Sequence, residues 1–126
     1  MLVFSNLFVL WSRVFGLPSA ARLIRFLARC LPPRDSPLEV DSERVERCYA
    51  RFRYLFVARR QKCLIRGFLL YFYGKRAGKD VRLIFGAAPS ENSDSPKWHC
   101  WIVEARQLRF EVPEIIGTYT PFLEFA

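Results

Sequence analysis

Residues 63–76 read Cys-Leu-Ile-Arg-Gly-Phe-Leu-Leu-Tyr-Phe-Tyr-Gly-Lys-Arg. The run is apolar nearly all round its helical circumference, which marks a central, buried helix rather than a surface one. Gly67 inside it costs about 1 kcal/mol of helix propensity, so its presence implies close approach of a neighbouring strand. Lys75 and Arg76 suit the negative end of the helix, and Gly74 and Gly78 surround its exit.

Beyond Gly78 the period changes. Val81-Arg82-Leu83-Ile84-Phe85 reads as a short strand, and Ala87 to Pro96 as a polar loop. Trp98–Glu104 and Gln107–Val112 form a hairpin around Ala105-Arg106, with Pro113 ending the second arm. Before Cys63 the pattern is helical. Met1–Phe15 reads as one helix, closed by Gly16-Leu17-Pro18. Ser19 then reads as the N-cap of a second helix through Leu31, ended by Pro32-Pro33. Arg34–Val40 is a linker, and Asp41 or Ser42 caps a third helix. Its stripe is Val45, Cys48, Tyr49, Phe52, Leu55 and Phe56, and Arg59-Arg60-Gln61-Lys62 is a basic connection. Helices first and an antiparallel sheet after them argue the α+β class.

At 126 residues and 52% hydrophobic content the chain is one domain with a modest core, not a disordered segment. Its net charge is +8, with 16 Arg against 4 Lys, which suits an acidic partner: a peptide, nucleic acid or anionic lipid. Solvated helix faces give the same excess, so charge alone decides nothing. Cys30, Cys48, Cys63 and Cys100 show no paired spacing, which excludes a small secreted disulfide scaffold and suits a reducing cytoplasm. Met1–Leu17 is apolar, but no Lys or Arg precedes Arg13, so the positive start of a signal peptide is missing. Arg13 also interrupts any membrane span.

The chemistry-bearing residues are Cys63, His99 and Glu111. His99 is the one histidine of the chain. A thiol at a helix start meets partial positive charge that lowers its pKa, and a nearby imidazolium lowers it further. His99 shares a strand face with Trp101 and Val103. With an odd-length hairpin loop His99 stands opposite Glu111, whereas with an even-length loop the two face apart. A thiolate, an imidazole and a carboxylate are the parts of a cysteine-nucleophile site, with the carboxylate fixing the ring tautomer. The Cys63 N–H is a candidate oxyanion donor.

The segments Lys62–Leu70, Arg76–Lys79, Val81–Gly86 and His99-Cys100-Trp101-Ile102-Val103-Glu104 resemble the lasso-peptide leader peptidases. This is the microcin-processing "B" protein family, with a transglutaminase-like, papain-related catalytic domain. The similarity covers most of residues 40–123, including the Tyr119-Thr120-Pro121-Phe122 tail, and the N-terminal helices look like those of the stand-alone form. The resemblance implies an N-terminal helical extension over 1–36 and a catalytic core over 37–126. It makes Cys63 the nucleophile and His99 the base. Glu111 falls where the family usually has Asp, and Cys100 replaces the usual small Ala. It further implies removal of the leader from a ribosomally made precursor peptide. The implied partners are a separate leader-binding protein and an ATP-dependent macrolactam cyclase, and no cofactor is implied for this chain. Gly74-Lys75-Arg76-Ala77-Gly78-Lys79 lacks the spacing and the Ser/Thr of a phosphate loop.

Three other readings compete. A metal site would draw on Cys63, His99, Cys100 and Cys48 or Glu111, against which the ligand spacing is irregular and His99 and Cys100 face opposite ways. A nucleic-acid module would need a stacking platform, whereas the aromatics follow core periodicity. A membrane-surface protein would use the basic, apolar N-terminal helices, which a chain this short needs for its core.

Overall fold

The computed structural model describes residues 1–56 and 61–126. Three helices, α1 (Leu2–Phe15), α2 (Leu17–Cys30) and α3 (Leu38–Phe52), precede α4 (Lys62–Arg76). Strands β1 (Val81–Ala88), β2 (Lys97–Glu104) and β3 (Gln107–Arg109) follow, then a single turn of helix, α5 (Pro113–Ile116), and β4 (Thr120–Phe125). The class is α+β. The four strands form one antiparallel sheet in the order β3-β2-β1-β4.

Helix α4 is the centre of the molecule. Leu64, Ile65 and every residue from Gly67 to Gly74 are buried, and α4 contacts α1, α2 and α3 as well as β1 and β2. Aromatic rings tie these elements together. Phe8 of α1 meets Phe68 of α4 edge-on at 6.4 Å, Phe68 meets Phe85 of β1 at 6.4 Å, and Phe85 meets Phe125 of β4 at 6.2 Å. Edge-to-face pairs of this kind add to the area they bury. The other face of α1 is not covered, and Val3, Leu7, Leu10 and Val14 form an exposed apolar stripe along it. Among the described residues no helix is long and apolar enough to cross a membrane.

Gly67 has the close neighbour that its sequence position implies. A Cβ there would lie 2.9 Å from the Cys100 sulfur and 3.1 Å from Leu83 Cδ1. Gly67→Ala should therefore destabilise the protein. The overpacking penalty of about 1–3 kcal/mol exceeds the gain of about 1 kcal/mol in helix propensity. Cys100→Ala in the same chain should recover part of the loss. Urea midpoints of the two single variants and the double variant measure the coupling, and strictly additive losses would contradict the contact.

The helix starts differ from the sequence expectations. Helix α2 begins at Leu17 with Gly16 (φ 84°) before it. Glycine takes the left-handed reversal out of α1, and Pro18 fits the first turn. Ser19 is thus inside the helix, where its hydroxyl accepts a hydrogen bond from Trp11 Nε1 at 3.0 Å. Helix α3 begins at Leu38, which places Asp41 and Ser42 inside it rather than at its cap and shortens the linker. Asp41 is buried and accepts a hydrogen bond from the Ser36 hydroxyl at 3.3 Å. Burial raises its carboxyl pKa, which Arg34 and Ser36 pull back only in part. At its far end α3 stops at Phe52, and a 3₁₀ turn over Arg53–Leu55 leaves Leu55 exposed while Phe56 turns inward onto Tyr49. In the basic connection, residues Arg59 and Arg60 lie outside the described residues.

The sheet is larger than the expected strand and hairpin. Strand β1 extends to Ala88, which pairs with Lys97. Strand β3 stops at Arg109, three residues short of the expected end. Strand β4, unexpected from the sequence, adds to the free side of β1. Its Pro121 is tolerated because an edge strand has one row of N–H groups with no ladder partner.

Candidate active site

The thiol, the imidazole and the carboxylate come from three different elements. Cys63 is the second residue of α4, in the first turn, where a helix supplies no internal acceptor for its N–H groups. The Leu64 and Ile65 amides are satisfied by the Gln61 carbonyl at 3.0 and 3.2 Å. His99 lies on β2 opposite Gly86 of β1. Glu111 follows β3. The structure brings all three together: Cys63 and His99 are close enough for each to shift the other's titration, and His99 Nε2 lies 3.2 Å from Glu111 Oε1. With Nε2 facing the carboxylate, Nδ1 is the ring nitrogen left for the thiol.

Cys100 is the fourth member. Its side chain is fully packed, its S–H donates to the Cys63 carbonyl oxygen 3.0 Å away, and the two thiols are close enough for each to shift the other's titration. The Cys100 thiol, which favours a charged sulfur beside it, is the largest influence on the Cys63 titration. Burial opposes it, and the hydrogen bond and charge of His99 then carry the Cys63 thiol from 9.0 down to about 4. Conversely, the Cys63 hydrogen bond leads in raising the His99 pKa above 6.5. Burial opposes that too, and the charges of Cys63 and Glu111 add to it. Each partner favours the charged form of the other, so a thiolate–imidazolium pair is the stable state between the two titrations. Replacing Cys63 by Ala should accordingly lower the His99 pKa from its raised value. An NMR titration of the single imidazole in both proteins reads this directly, and an unchanged midpoint would separate the two groups.

The route by which Glu111 reaches His99 is not the one that strand alternation gives. The hairpin loop is Ala105-Arg106, two residues long, and the ladder pairs Glu104 with Gln107 and Ile102 with Arg109. Continued in that register, Glu111 would face away from His99. The ladder instead ends at Arg109, and Phe110 takes φ 63°. A left-handed residue with a bulky side chain costs on the order of 1–3 kcal/mol. That turn breaks the alternation and re-aims Glu111 at the imidazole. Ala105 and Arg106 also lie in the left-handed region, at φ 48° and 67°, which gives the tight turn the twist that hairpins favour.

Sequence reasoning did not bring Arg66 into the site. It stands one helical turn after Cys63, and its guanidinium donates to the same Glu111 Oε1 that faces His99. It also reaches Glu46 Oε1 at 3.7 Å, and Lys62 meets Glu46 Oε2 at 2.6 Å. Glu111 is thereby clamped between a fixed cation and the imidazole. The available signal was a charge inside the apolar stretch of the helix, three residues after the cysteine. Tyr119 was also missed, and Trp101, placed on the His99 face by strand alternation, was not read as part of the site. Trp101 stacks on His99 with ring centres 6.3 Å apart, and Tyr119 lies 5.5 Å from the same ring. Gly86 leaves room for them, since a Cβ there would lie 2.6 Å from the Trp101 ring.

An open groove of about 550 Å³ passes over Cys63, between Gln61 and Lys62 on one wall and Lys97, Trp98 and Tyr119 on the other. A second, more apolar recess of about 240 Å³ adjoins it at Gln61 and Trp98, and includes Leu17, Leu64, Phe85 and Phe122. Among the described residues no three His, Cys, Asp or Glu side chains cluster as ligands of one metal ion. A scan against protein-family models, a search of curated proteins and a search of solved structures each find no match for this chain.

Proposed function

We propose that this protein is a cysteine peptidase with a transglutaminase-like core that removes the leader from a ribosomally made lasso precursor peptide. The observation that carries the reading is the convergence of Cys63, His99 and Glu111 from three separate stretches of the chain, with Cys63 lining an open groove. The Cys63 thiolate attacks the scissile carbonyl, forming a carbon–sulfur bond while the carbonyl electrons move to oxygen. The Cys63 N–H, with the Gln61 side chain beside it in the groove, receives that oxyanion. The His99 imidazolium gives its proton to the leaving amine, and the thioester is then hydrolysed by a water that His99 deprotonates. Glu111 holds the ring and balances its charge, and Arg66 holds Glu111.

In this reading the peptide lies along the groove with one apolar side chain in the recess beside Trp98, and its basic surroundings suit an acidic leader. A separate leader-binding protein delivers the precursor in the cytoplasm, and the freed amine passes to an ATP-dependent macrolactam cyclase. Incubation of the precursor with this chain and the leader-binding protein tests the reading. Wild type should cleave it and His99→Ala should not, and equal cleavage by both would refute it.

The exposed stripe of α1 favours a second reading, a non-catalytic basic interaction module. No acidic residue precedes Asp35, and Arg22, Arg25 and Arg29 surround the exposed Phe26 on α2. Co-sedimentation with anionic vesicles by a chain without cleavage activity would favour that module over the enzyme.

A further inference from the structure

We propose that Cys63 and Cys100 are a peroxide-responsive pair, in which hydroperoxide oxidises Cys63 and Cys100 closes a reversible disulfide with it. The proposal goes beyond the peptidase reading and does not depend on it. Its basis is the placement of two sulfurs from separate elements. Cys100 Sγ donates to the Cys63 carbonyl oxygen at 3.0 Å, which sets the two cysteines side by side. It packs against the helix at Gly67, 2.9 Å from where a Cβ would stand. Cys63 is half-buried at the floor of a groove open to small solutes, whereas Cys100 is 1% exposed. The oxidant therefore meets Cys63 first, and Cys100 is its buried neighbour. A reactive, accessible thiolate beside a protected second cysteine is the arrangement that peroxide sensing requires.

The steps balance. The Cys63 thiolate attacks one oxygen of hydrogen peroxide and the O–O bond breaks. Cys63 becomes a sulfenic acid, oxidised by two electrons, and the departing hydroxide takes the imidazolium proton of His99 to leave as water. The Cys100 sulfur then attacks the Cys63 sulfur. The S–S bond forms as the S–O bond breaks, and hydroxide leaves with the Cys100 proton as a second water. A dithiol reductant restores both thiols by exchange. The second step is favoured by the first. In the reduced protein the Cys63 hydrogen bond, burial and the Cys63 charge hold the Cys100 thiol protonated. A neutral sulfenic acid removes that charge.

The test is peptide mapping of the full chain after hydrogen peroxide treatment and alkylation of the remaining thiols. Wild type should yield a Cys63–Cys100 linked peptide pair, two hydrogens lighter than its parts and lost on treatment with dithiothreitol. Cys100→Ala should instead accumulate sulfinic and sulfonic acid at Cys63, which dithiothreitol does not reverse. Cys30 and Cys48 report thiols outside the pair. Wild type that over-oxidises Cys63 with no linked peptide, or that links Cys63 to Cys30 or Cys48, would overturn the proposal. That outcome is read by mass without a substrate, so it is independent of whether the protein cleaves a peptide.

Discussion

Cys63→Ala is expected to abolish precursor cleavage, with a loss of about 10⁶-fold in kcat, the scale seen when a hydrolase loses its nucleophile. The size follows from the geometry. Without the sulfur there is no covalent intermediate, and the imidazole beside it no longer holds an imidazolium proton for the leaving amine. The groove and the helix terminus remain, so substrate binding should persist and the loss should fall on kcat rather than KM. Single-turnover cleavage with excess protein separates the two. Cys63→Ser is the companion variant. It keeps the size of the side chain but replaces a thiol held at about 4 by a hydroxyl that stays protonated, and it should be nearly as inactive. Retained activity in the alanine variant would remove Cys63 from the chemistry.

Glu111→Gln is expected to give the second largest loss, up to about 10⁴-fold in kcat by analogy with the matching change in a serine triad. Here two cations depend on that one carboxylate, since Arg66 and His99 both face Oε1. A neutral amide removes the one anion that stands between Arg66 and the imidazole, which lowers the His99 pKa and weakens its pairing with Cys63. Glu111→Asp should fall between the two, because its shorter arm must reach the same imidazole from a backbone set for glutamate. A cleavage rate equal to wild type in Glu111→Gln would take this residue out of the site.

The sequence made α4 legible because a run apolar on every face has one stable location, and Gly67 marked the strand that packs there. The hairpin was legible from alternation and a short break between its arms. The helix starts were not. Ser19 and Asp41 are good capping residues, but Gly16-Leu17-Pro18 and Ser36-Pro37-Leu38 supply earlier starts that proline geometry favours. Strand β4 was hidden because it is short, edge-placed, largely exposed and contains Pro121. The meeting of His99 with Glu111 was foreseen from a loop of the wrong parity. The contact exists because Phe110 leaves the ladder with positive φ, and no alternation rule anticipates a bulky residue there. Arg66 and Cys100 act through tertiary contacts with residues 45 and 37 positions away, which spacing along the chain does not disclose.

The proposed chemistry rests on Cys63 being a thiolate at neutral pH, held so by Cys100 and His99. The rate of Cys63 alkylation by iodoacetamide as a function of pH, followed by mass at that residue, measures this. A rate already on a plateau well below neutral pH is expected, with its inflection near 4 moving upward in His99→Ala. An inflection near the ordinary thiol value of 9.0 in the wild-type protein, unmoved by His99→Ala, would contradict it.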